Sequence, residues 1–159
     1  MNKVGRKKTV VAVSGGFDPI HPGHVRLFNK AKKLGDALVV ILNNDNWLKA
    51  KKIVPFMSGK ARKEVIEAMR AVDKVILTGH RPNPKDMSVS KELAKLRPNI
   101  FANGGDRKKG NVPENVVCEK YGIKMVYNVG HGGKVESSSW LLAKYVDNHT
   151  KHTKKHATK

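Results

Sequence analysis

The 159-residue chain is poor in sulfur, aromatics and acids, and each shortage excludes something. It has one cysteine, Cys118, so no disulfide can form within the chain, which suits a reducing, cytoplasmic setting. The surrounding "NVVCEKYG" is apolar and marks Cys118 as a small core residue rather than a nucleophile. Aromatics make up only 6%, which argues against a stacking platform for nucleic-acid bases. No apolar run approaches the roughly 18 residues of a membrane span. The opening "MNKVGRKKT" is basic, but the apolar run after it ends at Gly15 without a small-residue cleavage pattern; it reads as a lead-in to a strand rather than a secretory signal. The acids number 13 against 32 lysines and arginines, a net charge of +19. Partners carrying phosphate or another anion are therefore expected.

Both ends feed that charge. Residues 1–8 carry Lys3, Arg6, Lys7 and Lys8 as a basic lead-in. Residues 148–159, "NHTKHTKKHATK", carry four lysines and three histidines with no acid, and are read as a disordered tail. Any contact with nucleic acid is expected to be nonspecific adhesion of that tail.

Between the ends, apolar β-branched runs alternate with amphipathic segments. Strands are expected at 9–14, 37–42, 74–79, 99–103 and 124–129, short and nearly continuous as strands covered on both faces would be. Helices are expected after His24, where Val25, Leu27, Phe28, Ala31 and Leu34 mark an apolar face, and then from Ser58, at 88–96, at 113–122 and at 137–146. The alternation predicts one Rossmann-like α/β domain over 9–147, a five-stranded parallel sheet with helices on both faces. In such sheets ligands sit at the carboxyl ends of the strands, near the switch in strand order.

The residues after the first strand fit that place. In "GGFDPIHPGH", Gly15 and Gly16 allow a tight turn, Pro22 presets a first helical turn, and His21 and His24 stand about one turn apart where free N–H groups favour an anion. Two histidines alone do not complete a zinc set. Ser137, Ser138 and Ser139 open the last helix with hydroxyls beside free amides, a second phosphate cradle. Gly104 and Gly105 would let a nucleotide approach the backbone after the fourth strand, with Asp106 beside them. Lys49, Lys51 and Lys52 form a basic cluster after the second strand.

"GGFDPIHPGH" resembles the H-x-G-H signature of a family of nucleotidyltransferases. That family includes the glycerol-3-phosphate and choline-phosphate cytidylyltransferases, the heptose-1-phosphate adenylyltransferases and phosphopantetheine adenylyltransferase. The resemblance extends over residues 9–147, through "KLGDALVVILNND", "KARKEVIEAMRAVDKVI", "NGGDRKKG" and "KVESSSW". It implies attack of a substrate phosphate on the α-phosphorus of a triphosphate carried with Mg²⁺, releasing pyrophosphate, in an enzyme that is commonly a homodimer. CTP with a polyol or sugar phosphate such as glycerol 3-phosphate is the favoured pairing; ATP with a sugar 1-phosphate is the alternative, and a basic nucleic-acid-binding domain a more distant one. The catalytic residues implied are His21, His24, Lys51 and Arg62. Gly15, Gly16, Phe17, Asp18, Gly23, Gly104, Gly105, Asp106 and Ser137, Ser138 and Ser139 would hold the nucleotide, and Lys52 and Lys134 the substrate. Two departures stand out: Gly16 replaces a common threonine, and Lys134 stands near a common arginine, as a point charge only.

Overall fold

A computed structural model describes residues 6–52, 54–105, 107, 110, 112–130 and 137–156, with side-chain surroundings through 151. The elements run β1 (Val10–Gly15), α1 (Pro22–Lys32), β2 (Ala37–Leu42), α2 (Asp45–Lys52), α3 (Gly59–Glu67), β3 (Lys74–Leu77), α4 (Ser90–Leu96), β4 (Ile100–Ala102), α5 (Asn115–Tyr121), β5 (Lys124–Val126) and α6 (Ser138–His156). The strands form one parallel sheet in the order β3-β2-β1-β4-β5. The chain winds outward from β1 in one direction, then returns past it to wind in the other. The switch falls between β1 and β4, where a crevice opens above the strand ends.

Alternation along the strands builds a core on each face. Val11, Val13, Leu38, Val40 and Leu42 pack with Phe28 and Ala31 of α1 and Ile66 of α3. Ala12, Ile41 and Phe101 pack on the other face with Leu93 of α4 and Cys118 of α5. The single thiol is thus a buried core residue, and burial raises its pKa to about 11.

Three sequence expectations need correction. Lys49, Lys51 and Lys52, expected only as a basic cluster after the second strand, end α2, a helix the lysine run hid. Its start is legible in retrospect, because the Asn44 side chain accepts from Trp47 N–H at 3.0 Å and Asp45 opens the first turn. β4 and β5 are shorter than the apolar runs, because Asn103 N–H and Val129 N–H bond across to Val126 O and Asn103 O and the chain then turns over the strand ends. The tail expected to be disordered continues α6 to His156. It holds no glycine or proline to stop it, and Lys151 pairs with Asp147 one turn earlier at 2.7 Å while Tyr145 stacks on His149.

Candidate active site

A cavity of about 580 Å³ lies at the switch point, lined by the ends of β1 and β4, the start of α1 and the first residues of α6. Its floor is the β1–α1 corner. His21 caps α1 through Nδ1, which accepts from Gly23 N–H at 3.1 Å. His24 Nδ1 in turn accepts from His21 N–H at 3.4 Å. With both Nδ1 atoms accepting, Nε2 is the donor nitrogen of each ring. The two rings lie 3.8 Å apart at 31°. Phe17 meets His24 edge-on at 4.9 Å and supports it from behind.

The glycine of H-x-G-H has a local reason. A Cβ on Gly23 would come within 2.8 Å of the His21 ring, so the cap geometry requires its absence. The departure at Gly16 is equally local: a Cβ there would come within 2.8 Å of Leu48 and 3.3 Å of Trp47, both on α2. The helix hidden by the lysine run occupies the space a threonine would need.

Burial, together with the neighbouring His21 and Lys52, pushes the His24 pKa down to about 3. His24 is therefore neutral at physiological pH, a hydrogen-bond donor without charge. The charge comes from the rim. Lys52 of α2 donates to the Asp18 carbonyl, and Lys51 lies 4.7 Å over the Trp47 ring. Arg107 lines the cavity from beyond β4 and bonds Asn103 Oδ1 at 3.4 Å. Burial first, then Arg107 and Lys52, lower the Lys51 pKa. Positive charge thus flanks β1 from the sides of both neighbouring strands, β2 and β4, with Lys51 repelled by Arg107 and Lys52.

Two expected ligands turn out to be supports. Arg62 has no exposed side-chain surface; it donates to Gly16 O and Asn43 O at 2.7 Å, Met57 O at 3.1 Å and Asp45 Oδ1 at 2.6 Å. It cannot reach a phosphate, and instead fixes the backbone of the glycine turn. A buried guanidinium needs that many acceptors to offset its desolvation. Asp18 is also buried, and its carboxylate accepts from the backbone N–H groups of Phe56 and Met57 at 2.7 Å each. It clips one loop to another.

Gly15, Gly16, Phe17, His21, Gly23, His24, Gly104, Gly105, Ser137 and Ser138 all line the cavity. Ser137 accepts from Trp140 N–H at 3.2 Å as a helix cap, and Ser138 donates to Pro19 O at 2.9 Å, tying α6 to the β1–α1 corner. Ser139 is exposed and not among the lining residues. Asp106 and Lys134 lie outside the described residues. Sequence reasoning missed Asn103, Arg107, Asn128 and Val129, which line the wall beyond β4. Asn103 and Arg107 flank the glycine-glycine turn directly, which was their signal.

A family model described as cytidylyltransferase-like matches residues 12–129, most of the domain. The chain belongs to the cytidylyltransferase-like family. Among its relatives, an "FAD synthase" of Aciduliprofundum boonei is 35% identical over 72% of this chain and 73% of its own length. A second "FAD synthase", of Ferroglobus placidus, is 42% identical over 63% of this chain and 60% of its own. The "Bifunctional protein HldE" of Pelobacter propionicus is 34% identical over 90% of this chain, which spans only 26% of that longer protein. A solved structure, a lipopolysaccharide core biosynthesis protein from Thermoplasma volcanium, superposes with a TM-score of 0.67 at 27% identity, over 79% of this chain and all of the other. This cytidylyltransferase-like chain is a nucleotidyltransferase, with its signature at the site the geometry marks.

Proposed function

We propose that the protein transfers an adenylyl group from ATP to a small phosphate monoester, releasing pyrophosphate. The observation that carries this reading is the pair of adjacent imidazoles, His24 neutral and both with Nδ1 turned to a backbone amide, at a helix N-terminus in a cavity that Arg107 also lines. A phosphate oxygen of the acceptor attacks the α-phosphorus, its P–O bond forms, and the bond to the bridging α–β oxygen breaks, its electron pair leaving on pyrophosphate. The nucleophile is already an anion at neutral pH, so no general base is required. The protein's work is alignment of two anions and stabilisation of charge on the equatorial oxygens. His21 and His24 supply fixed donors there, while Lys51, Lys52 and Arg107 supply positive charge. Lys52 acts from the Asp18 carbonyl that now holds it.

ATP is preferred over CTP because the relatives named FAD synthase are named for a product with an adenylyl half. Their shorter overlap leaves the acceptor to be established separately. Among the described residues no three metal-binding side chains cluster, and the Asp18 carboxylate is engaged by two amides. A Mg²⁺ carried with the triphosphate would neutralise part of the polyphosphate charge.

Pyrophosphate release tests the reading. With Mg²⁺, each of the four triphosphates is offered against riboflavin 5′-phosphate, glycerol 3-phosphate and a sugar 1-phosphate. Turnover with ATP above the other three is the expected result; a CTP preference would restore the donor favoured by the sequence. Silence in every combination would reject the reaction.

A further inference from the structure

Trp47 is buried, yet its indole does more than fill space. Nε1–H donates to Met87 O at 2.8 Å, which ties α2 to the segment after β3. Two other side chains at the start of α2 reach the same segment: Asn44 Nδ2 and Asn46 Nδ2 donate to His80 O at 2.8 and 2.9 Å. The benzo edge of the indole abuts the glycine turn of the site, where a Cβ on Gly16 would lie 3.3 Å from Cζ3. The ring is thus fixed on several sides. One turn further along α2, the Lys51 ammonium lies 4.7 Å over it. Lys51 stands close enough to the cavity-lining Arg107 to be repelled by it, and Lys52 repels it as well.

A lysine is a point charge on a flexible stem, and repulsion from two cations would turn it out to water. An aromatic face opposes that, because its negative potential attracts an ammonium. Among the described residues no carboxylate pairs with Lys51, so its charge stays available to an incoming anion. We propose that Trp47 is a positioning residue for nucleotidyl transfer: its indole face holds the Lys51 ammonium beside the phosphate-binding cavity without neutralising it. A carboxylate in that place would also hold the lysine, but it would cancel the charge and compete with the phosphate. The ring gives way instead, since charge-assisted bonds to phosphate oxygens are stronger than a π contact. The ammonium then passes from ring to phosphate. This rests on the nucleotidyl-transfer reading for the role of Lys51. It also couples position 16 to position 47: a side chain at 16 would press on the ring that holds the lysine.

The test runs on the full chain carrying Trp140→Phe, which leaves Trp47 as its only tryptophan. Inorganic tripolyphosphate, which has no base to quench an indole, should change the Trp47 emission as the ammonium leaves the ring. Lys51→Met should abolish that response. Activity is read as pyrophosphate release, with the triphosphate and acceptor that turn over in the assay above. Trp47→Leu should lower kcat/KM for the triphosphate about three- to tenfold, the range between an exposed and a partly desolvated cation–π contact. Trp47→Phe keeps a ring face but cannot donate to Met87 O, and should recover most of that loss. In a Lys51→Met background, Trp47→Leu should cost less than about twofold, because no ammonium is left to hold. An equal Trp47→Leu penalty with and without Lys51 overturns the proposal, since the ring is then packing alone. So does a tripolyphosphate response that survives Lys51→Met, or the lack of one in the parent. If Trp47→Leu does not fold, the emission comparison decides, because it leaves the ring in place. The two readings fail separately. A Lys51-dependent emission change without pyrophosphate release from any pair keeps the held lysine and rejects the reaction. Turnover in which the two substitutions act independently keeps the reaction and rejects the positioning.

Discussion

The two walls of the cavity are built by different rules. The β1–α1 corner is fixed from beneath: Arg62 ties three carbonyls and Asp45, Asp18 clips the Phe56 and Met57 amides, and Phe17 and Gly23 set the two imidazoles. Among the described residues, the opposite wall of Asn103, Arg107 and the head of α6 has backbone bonds at Asn103, to Val126 O and from Val129 N–H, but its facing side chains are held more lightly, by a 3.4 Å contact between Arg107 and Asn103 and by the Ser138 hydroxyl on Pro19 O. The stiff wall carries the donors that must already be placed when charge develops on phosphorus. The looser wall carries charge whose position can adapt to the anion. Preorganisation lowers a barrier only where the geometry of the transition state is fixed in advance.

Removing the strut should have the largest effect. Arg62→Met strips Asp45 of its buried partner and leaves three carbonyls without a donor. The expected loss is about 3–5 kcal/mol of stability, mostly from carbonyls left without a donor, at about 1–3 kcal/mol for each buried one. Urea unfolding measures it, with activity expected to vanish alongside. A variant as stable as its parent would show that the corner is not held from beneath. On the adaptive wall, Arg107→Gln should leave the urea midpoint unchanged and raise the KM for ATP.

His24→Ala comes next. It should lower kcat by about 10²–10³ with the fold intact, the cost of one preorganised donor. His24→Gln should recover part of that loss, since its amide N–H₂ can stand near the position of Nε2–H. A kcat for His24→Ala within about threefold of the parent would remove His24 from the mechanism. Ser138→Ala on the looser wall should cost less than His24→Ala, and a reversal of that order would invert the comparison between the walls.

Much of this was legible in the sequence because it rests on local pattern. β-branched runs spaced by amphipathic segments fix a parallel sheet, and strand–Gly-Gly–H-x-G-H fixes where its ligand sits. What was not legible depends on distance in the chain. Arg62 resembles a phosphate ligand in sequence; only the fold shows that the Gly16 carbonyl, 46 positions earlier, accepts its hydrogen bond instead. Asp18 likewise finds its partners 38 and 39 positions later. The lysines of α2 misled in another way. A charge run carries no apolar period, so the helix beneath was visible only through its Asn44 cap and the Trp47–Leu48 pair that it buries.

The pH dependence of stability should distinguish the stiff corner from a merely crowded one. The His24 pKa lies at about 3 when folded against 6.5 for the ordinary group, so between those values the unfolded chain binds a proton that the folded chain refuses. The unfolded state then holds more protons, and stability must rise with pH across that window and level off above about 6.5. His24→Gln cannot titrate, so the difference in unfolding free energy between parent and variant isolates the histidine. The gap should change between pH 4 and pH 6.5, in the parent's favour as pH rises, and stay constant from pH 7 to 9. A flat difference throughout would mean the ring accepts a proton freely, and hence that it is not enclosed by Phe17 and His21.

The smallest effect is expected at the far end of α6. Beyond Asn148 the bonds described are internal to the helix: Thr150 with the Val146 and Asp147 carbonyls, Lys151 with Asp147, and His149 stacked on Tyr145. Exposed pairs of this kind are worth at most about 0.5 kcal/mol. A chain ending at Asn148 should therefore keep its kcat and unfold within about 0.5 kcal/mol of the parent. What it loses is four lysines, and with them part of the long-range attraction for polyanions. The KM for ATP should then rise slightly at low salt and converge with the parent's as ionic strength shortens the reach of those charges. If truncation lowered kcat instead, the helix would be reaching the reacting phosphates, and the adaptive wall would extend well past Ser138.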